Sequence, residues 1–250
     1  MSSFNYQLTP TMLTALERGL SSNRLGRYVA MSGGDKEAAM RLYTWNAAVS
    51  ESLYGPLQAF EILTRNRIHD AMTVRLGATW YDTPGLLDHG MQQKLTEAKS
   101  KLLSAQKLVS PPSVVSELSL GFWTSLLSRK HEPTFWLKHR LFTLFVNRPV
   151  RKSRIDVFAD YDDARKLRNR IAHHECVISQ ALPGQYATIE ELIHSHCPDT
   201  GKWFAHHSRF GAVWHDTSNP WLPAVAPVTP TGAVAAAPVP APAVVVVAKP

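Results

Sequence analysis

Cysteine is scarce in this chain of 250 residues, which contains only Cys176 and Cys197. Two thiols cannot build a disulfide framework, and this excludes the disulfide-rich class of small secreted domains. No stretch approaches the roughly 20 apolar residues of a membrane-spanning helix. The first residues, MSSFNYQ, lack the basic start and apolar run of a secretory signal. From these absences we expect a cytoplasmic protein without a membrane partner.

Several other signals are missing. Strand-like alternation is rare, and the sequence has no Gly-x-x-x-x-Gly-Lys phosphate loop of a nucleotide-driven motor. Paired metal-ligand spacings such as Cys-x-x-Cys are also missing, so we expect no metal and no other cofactor. Eight possible ligands nevertheless crowd one region: His173, His174, Cys176, His194, His196, Cys197, His206 and His207.

The residues that are present favour helices. Apolar residues recur at three- and four-residue steps from Leu42 to Ile68, which predicts one long helix from Asp35 to about Leu76, with a kink or a break at Pro56. Thr9-Pro10 is a typical helix start. Further helices are expected at about 89–104, 113–128, 135–145, 153–173 and 188–196. The fold class predicted from this pattern is an all-α helical bundle.

The end of the chain differs in composition from the rest. From Pro220 onward it holds 8 of the 17 prolines and otherwise mostly alanine and valine. Such a segment has no apolar periodicity to bury, so we expect it to be disordered or polyproline-like. The predicted division is a helical domain over 1–220 and a disordered Pro/Ala/Val-rich tail over 221–250.

Positive charge is concentrated in the octapeptide 168–175, Arg-Asn-Arg-Ile-Ala-His-His-Glu, and the whole chain has a net charge of +7. This balance favours a polyanionic partner. Arginine is a permanent forked cation that suits phosphate, whereas histidine titrates near neutral pH. We therefore consider a site in which Arg168 binds an oxyanion and His173 is a general base or acid.

The octapeptide resembles the Arg-x(4–6)-His signature of the HEPN superfamily, in its Abi-like (abortive infection) branch. Two other stretches are similar to the same branch, namely 50–66 and the segment 117–123 with the following Phe135-Trp136. The resemblance covers roughly residues 40–215. It implies an α-helical, metal-independent endoribonuclease that acts on RNA as a homodimer. It also implies a role in phage defence by abortive infection or as a toxin, with an antitoxin or another defence protein as a possible partner.

Helix geometry constrains this interpretation. On an ideal helix Arg168 and His173 lie about 140° apart, whereas Asn169 and His173 share a face. The pair can converge if the helix ends near Ala172, or if a second chain supplies the missing group across a two-fold axis. Arg170 is an alternative phosphate clamp, and Asn169 would orient other groups rather than react.

The same residues allow less specific roles. Arg168 and Arg170 can be solvated helix charges, with Asp162 and Asp163 pairing with Lys166. His174 and Glu175 can simply cap and charge the helix end.

A second group of residues also has two interpretations. Glu61 and Arg65 have the spacing of a helix ion pair, or they line the octapeptide's cleft together with Asn66. The aromatic residues Phe122, Trp123, Phe135 and Trp136 are expected in the core rather than stacked on bases. Two functions thus remain open: a metal-independent endoribonuclease and a non-catalytic helical module that binds RNA or protein.

Overall fold

A computed structural model describes residue 4 and residues 6–145, 147 and 152–221. Of these residues 75% are helical and none lies in a strand, which confirms the predicted all-α class. The described residues up to Pro220 form one compact unit. The predicted tail over 221–250 lies, apart from Trp221, outside the described residues.

Ten α-helices occupy the described ranges. In chain order they are α1 Pro10–Leu20, α2 Ser22–Met31, α3 Lys36–Leu76, α4 His89–Ser104, α5 Pro111–Glu117, α6 Leu120–Ser125, α7 Arg154–Ala172, α8 Leu182–His196, α9 Pro198–His207 and α10 Phe210–Trp214. Between α6 and α7 lie the short 3-10 segments Arg129–His131 and Leu141–Phe145 and the π-helical segment Glu132–Lys138.

Helix α3 is the long element against which α2 and α5 to α10 pack. Asp35 caps it, as predicted, by accepting the Ala38 N–H at 3.0 Å. The helix runs through Pro56 without interruption, so the expected break was wrong. Pro56 is buried, and packing of α3 against its neighbouring helices stabilises the helix despite the hydrogen bond that proline removes and the clash of its ring. The alternative, a kink, stays a prediction.

Two boundaries in the middle of the chain differ from the predictions. Pro111 begins α5, two residues before the expected start at 113, because proline is tolerated in a first turn and Ser110 forms a capping box with Ser113. The expected helix 113–128 is therefore two short helices, α5 and α6. The expected helix 135–145 is also divided, at Arg140, where a φ of 52° interrupts the helical path.

The C-terminal helices extend further than the pattern indicated. Helix α8 begins at Leu182, with Pro183 in its first turn, rather than near residue 188. Helices α9 and α10 were not predicted, although Pro198 starts the first of them. In α9, Gly201 packs so closely on α8 that an added Cβ would lie 2.8 Å from the Cα of His194.

The aromatic residues predicted for the core are buried there. The rings of Phe122, Trp123 and Phe135 are fully buried, and Trp136 is partly buried. This places them in packing contacts rather than on a base-stacking surface, as expected.

An ion pair joins this aromatic region to the start of α4. Asp88 caps α4 at Met91, and its Oδ2 lies 2.7 Å from the Lys130 ammonium and 2.9 Å from His131 Nε2. The hydrogen bond from Lys130, followed by the Met91 N–H, holds the pKa of Asp88 far below its usual range. Since His131 Nδ1 faces the carbonyl of Ser125 at 2.9 Å, neither ring nitrogen is free for chemistry.

Helix α7 is anchored by its apolar face. Ser153 caps it and forms a capping box with Asp156. The residues that recur on its buried face are Val157, Tyr161, Ala164 and Leu167. This face fixes the helix against α3, α6 and α8 and thereby fixes the octapeptide that ends it.

Candidate functional site

The octapeptide 168–175 spans the last turn of α7 and the turn that follows it. His173 is the C-cap, and His174 has a φ of 56°, the left-handed conformation that glycine usually provides after a helix. The N–H of Glu175 donates to the carbonyl of Arg170 at 2.8 Å, which closes a Schellman-type turn. The helix therefore stops just before the two histidines.

A buried amide on α3 holds the chain after this turn. Asn46, which is 6% exposed, accepts the N–H of Val177 with its Oδ1 at 2.8 Å and donates from its Nδ2 to the carbonyl of Glu175 at 3.3 Å. Sequence reasoning missed Asn46, because its partners are more than a hundred residues away and no local pattern connects them. Through these bonds α3 fixes the position of His173 and His174.

Arg168 lines a cavity of about 370 Å³ between α3 and α7, here called the Arg168 pocket. Glu61 and Arg65 of α3 also line it, over apolar walls that include Leu57 and Ile62. The Nε of Arg168 donates to Glu61 Oε2 at 3.1 Å. Within the described residues its Nη groups have no hydrogen-bond acceptor, so they are open to a ligand.

The three candidates on α3 have different surroundings. Glu61 pairs with Arg168 rather than with Arg65, so the ion pair favoured by the four-residue spacing does not form. Arg65 reaches the Arg168 pocket, and its Nε is buried without a hydrogen-bond partner among the described residues. Asn66 is exposed and does not line this pocket.

His173 opens onto a different cavity, of about 450 Å³, between α2 and the end of α7. This His173 pocket is lined by basic side chains, with Arg24 and Arg27 from α2 beside His173 and His174. Arg168 does not line it. Within one chain, the two residues expected to react together therefore face separate cavities, as their angular separation on a helix indicated.

Arg170 is engaged in the turn itself. Its Nη2 donates to the carbonyl of Cys176, and its Nε lies 3.7 Å from Glu175 Oε2. Arg168, at 42% exposure, is consequently the more available of the two predicted phosphate clamps. Asn169 is partly buried, and its side chain makes no hydrogen bond with the described part of the chain.

Local pairing further back on α7 agrees with the sequence. Lys166 Nζ lies 2.9 Å from Asp162 Oδ2 and 3.4 Å from Asp163 Oδ1, which confirms the predicted pairs. The Lys166 and Arg165 partners lower the pKa of Asp162 against the opposing effect of its partial burial. Asp162 and Asp163 thus form their ion pairs within the middle of α7 and do not neutralise the positive charge of the octapeptide.

The crowded histidines and cysteines are dispersed by the fold. Across the described ranges, no three side chains of ligand type come close enough together to hold a metal ion. His196 is buried and contacts the hydroxyl of Tyr161, His207 faces the carbonyl of Trp203, and both cysteines are free thiols. None of the helices in these ranges combines the length and the apolar character needed to cross a membrane.

The described residues form an all-α domain with two cavities, lined in part by basic residues, beside the end of α7. Comparison with protein-family models, curated proteins and solved structures finds no match for this chain. The HEPN resemblance therefore rests on the three sequence stretches alone.

Proposed function

We propose that the protein is a metal-independent endoribonuclease of HEPN type, in which Arg168 and His173 act on RNA. The observation that carries the proposal is the closed end of α7, which presents the open Nη groups of Arg168 and the exposed ring of His173. Cleavage by the ribose 2′-hydroxyl needs a base, an acid and a cation for the phosphoryl oxygens, and these two residue types supply all three.

In the proposed reaction, one His173 removes the proton of the 2′-hydroxyl. The 2′-oxygen then attacks the adjacent phosphorus, and the bond from phosphorus to the 5′-oxygen breaks. The Nη groups of Arg168 neutralise charge on the phosphoryl oxygens, and a protonated histidine gives its proton to the departing 5′-oxygen. The products are a 2′,3′-cyclic phosphate and a 5′-hydroxyl.

A homodimer is part of the proposal, because Arg168 and His173 face different cavities of one chain. A two-fold axis beside α7 would bring His173 of one protomer towards Arg168 of its partner and would supply two histidines for the acid and base roles. Tyr54, which lines the Arg168 pocket and is 65% exposed, offers the kind of aromatic surface that is enriched in interfaces.

The test incubates the purified full chain with total RNA in the presence of EDTA. Arg168→Ala and His173→Ala are each expected to lower cleavage by about 10²–10⁴-fold and to leave the melting temperature unchanged, because neither side chain is in the core. Matched controls are Arg67→Ala and His89→Ala, whose side chains are exposed on α3 and α4; both should cleave like wild type.

The chemical ends of the RNA fragments and the activity of mixed variants distinguish this mechanism from one in which water attacks. Fragments should end in 2′,3′-cyclic phosphates, and mixing the two inactive variants should restore part of the activity in heterodimers. Fragments with 5′-phosphate ends, or cleavage that needs added magnesium, would show that water attacks and would refute the mechanism. The resemblance supports a role in phage defence or as a toxin, with an antitoxin or another defence protein as partner.

A second function is favoured by the separation of Arg168 from His173 in one chain. A non-catalytic module could use the two basic cavities to bind RNA or a protein without bringing these groups together. This function predicts that RNA incubated with the wild-type protein stays intact under every condition.

A further inference from the structure

The His173 pocket has an excess of positive charge beyond the histidine itself. Arg24 and Arg27 both line it, and neither forms an ion pair with the residues that the structure describes. One carboxylate, that of Glu175, also lines the pocket, and its Oε2 lies 3.7 Å from the Nε of Arg170. The two arginines of α2 therefore face a cavity whose one carboxylate is paired with a third arginine.

This arrangement does not stabilise α2. Arg24 and Arg27 lie three residues apart on one helix face, where like charges repel. The helix sequence SNRLGRYVAM contains no acidic residue that could offset them. An unbalanced pair of cations at a cavity is the arrangement expected where an anionic ligand binds.

The arginines are also held in place. Leu25 and Tyr28 of the same helix are each 2% exposed, which anchors α2 in the core. Arg24 Nη1 donates to the carbonyl of His174 at 2.5 Å, and this both orients the guanidinium and satisfies one carbonyl beyond the helix end. Burial and the neighbouring Cys176 thiol raise the pKa of Tyr28 well above its usual range, so this wall of the pocket carries no negative charge.

We propose that Arg24 and Arg27 form a phosphodiester-binding subsite for single-stranded RNA, next to His173. Forked guanidinium groups match the geometry of phosphate oxygens, and the open cavity between α2 and α7 suits an extended backbone. The inference rests on the proposed function for the identity of the ligand as RNA. It adds a place where the substrate strand binds beside the reacting phosphate.

Binding can be measured without cleavage. The probe is a fluorescent single-stranded RNA carrying 2′-O-methyl groups throughout, which blocks the attacking hydroxyls, and its anisotropy is followed with the full chain at several salt concentrations. Arg27→Ala should weaken binding about tenfold. It should also make the slope of log K against log salt shallower by about 0.7, the value for one lost phosphate contact on a single strand.

Three variants sharpen the result. Arg27→Lys should keep the salt slope, because the charge remains, while losing part of the affinity with the forked geometry. Arg24→Ala should weaken binding as Arg27→Ala does. The matched control Arg67→Ala removes an exposed arginine of α3 that lies outside both cavities and should leave affinity and slope unchanged.

The outcomes separate this inference from the nuclease proposal. Binding that depends on Arg24 and Arg27, with no cleavage of unmodified RNA, would support the subsite and refute the nuclease. Cleavage that depends on His173, with binding indifferent to both arginines, would overturn the subsite alone. Absence of binding to the probe, or equally tight binding of a nucleoside monophosphate, would also overturn it.

Discussion

Substitution of Asn46 by alanine is expected to loosen the turn that presents the two histidines. The Val177 N–H would lose its acceptor, and Val177 is fully buried, so water cannot replace the lost bond. A buried donor left without a partner costs about 1–3 kcal/mol. The carbonyl of Glu175 is more accessible and loses a longer bond, so we expect a total destabilisation of about 2–3 kcal/mol.

The measurement is urea denaturation followed by circular dichroism. Asn46→Ala should lower the midpoint and leave the slope m unchanged, because the same surface is exposed on unfolding. Hydrogen exchange at the Val177 amide should accelerate, which locates the effect in the turn. Asn66→Ala is the matched control, since Asn66 is exposed on the same helix and should change stability by no more than about 0.5 kcal/mol. Equal midpoints for Asn46→Ala and Asn66→Ala would refute the role assigned to the buried amide.

Three further predictions, each made with a substitution, test the fold. Because the folded-state pKa of Asp88 lies below the usual 3.8, its stabilisation is present above that value and is lost on acidification. The difference in melting temperature between wild type and Asp88→Asn should therefore shrink as the pH falls below about 4. Gly201→Ala should cost about 1–3 kcal/mol in urea unfolding, because its Cβ would meet the backbone of His194. Gly26→Ala, which meets nothing within 4 Å, should be neutral or stabilising by up to about 1 kcal/mol; equal losses would contradict the close packing. His174→Gly should raise stability by up to about 1 kcal/mol, because glycine adopts the positive φ without strain, and a lower melting temperature would argue against that strain.

Local signals predicted the helices where the cap and the helix share one stretch of sequence. Thr9 and Asp35 each cap the helix expected of them, because the hydrogen bonds of an N-cap reach only two or three residues. The predictions failed where tertiary packing decided, as at Pro56, or where proline began a helix earlier than expected, as at Pro111.

The candidate site was predictable only in part, because tertiary packing brings some of its residues together. Sequence resemblance selected Arg168 together with Glu61, and these two residues do meet in one pocket. Arg24, Arg27 and Asn46 were not identified, because their relation to the octapeptide exists only after α2 and α3 pack beside the end of α7. Contacts between residues so far apart in the chain produce no periodic pattern in the sequence.

The long helix α3 has a consequence for synthesis on the ribosome. In its N-terminal half, the fully buried ring of Trp45 packs on Trp214 of α10, with ring centroids 5.2 Å apart. At a translation rate of about 5–20 residues per second, the roughly 140 residues between the end of α3 and Trp214 take about 7–30 s to make. During that interval the surface around Trp45 lacks its contact with α10 and is accessible to chaperones. The packing around Trp45 in the N-terminal half of α3 is therefore completed only after α10 has been synthesised.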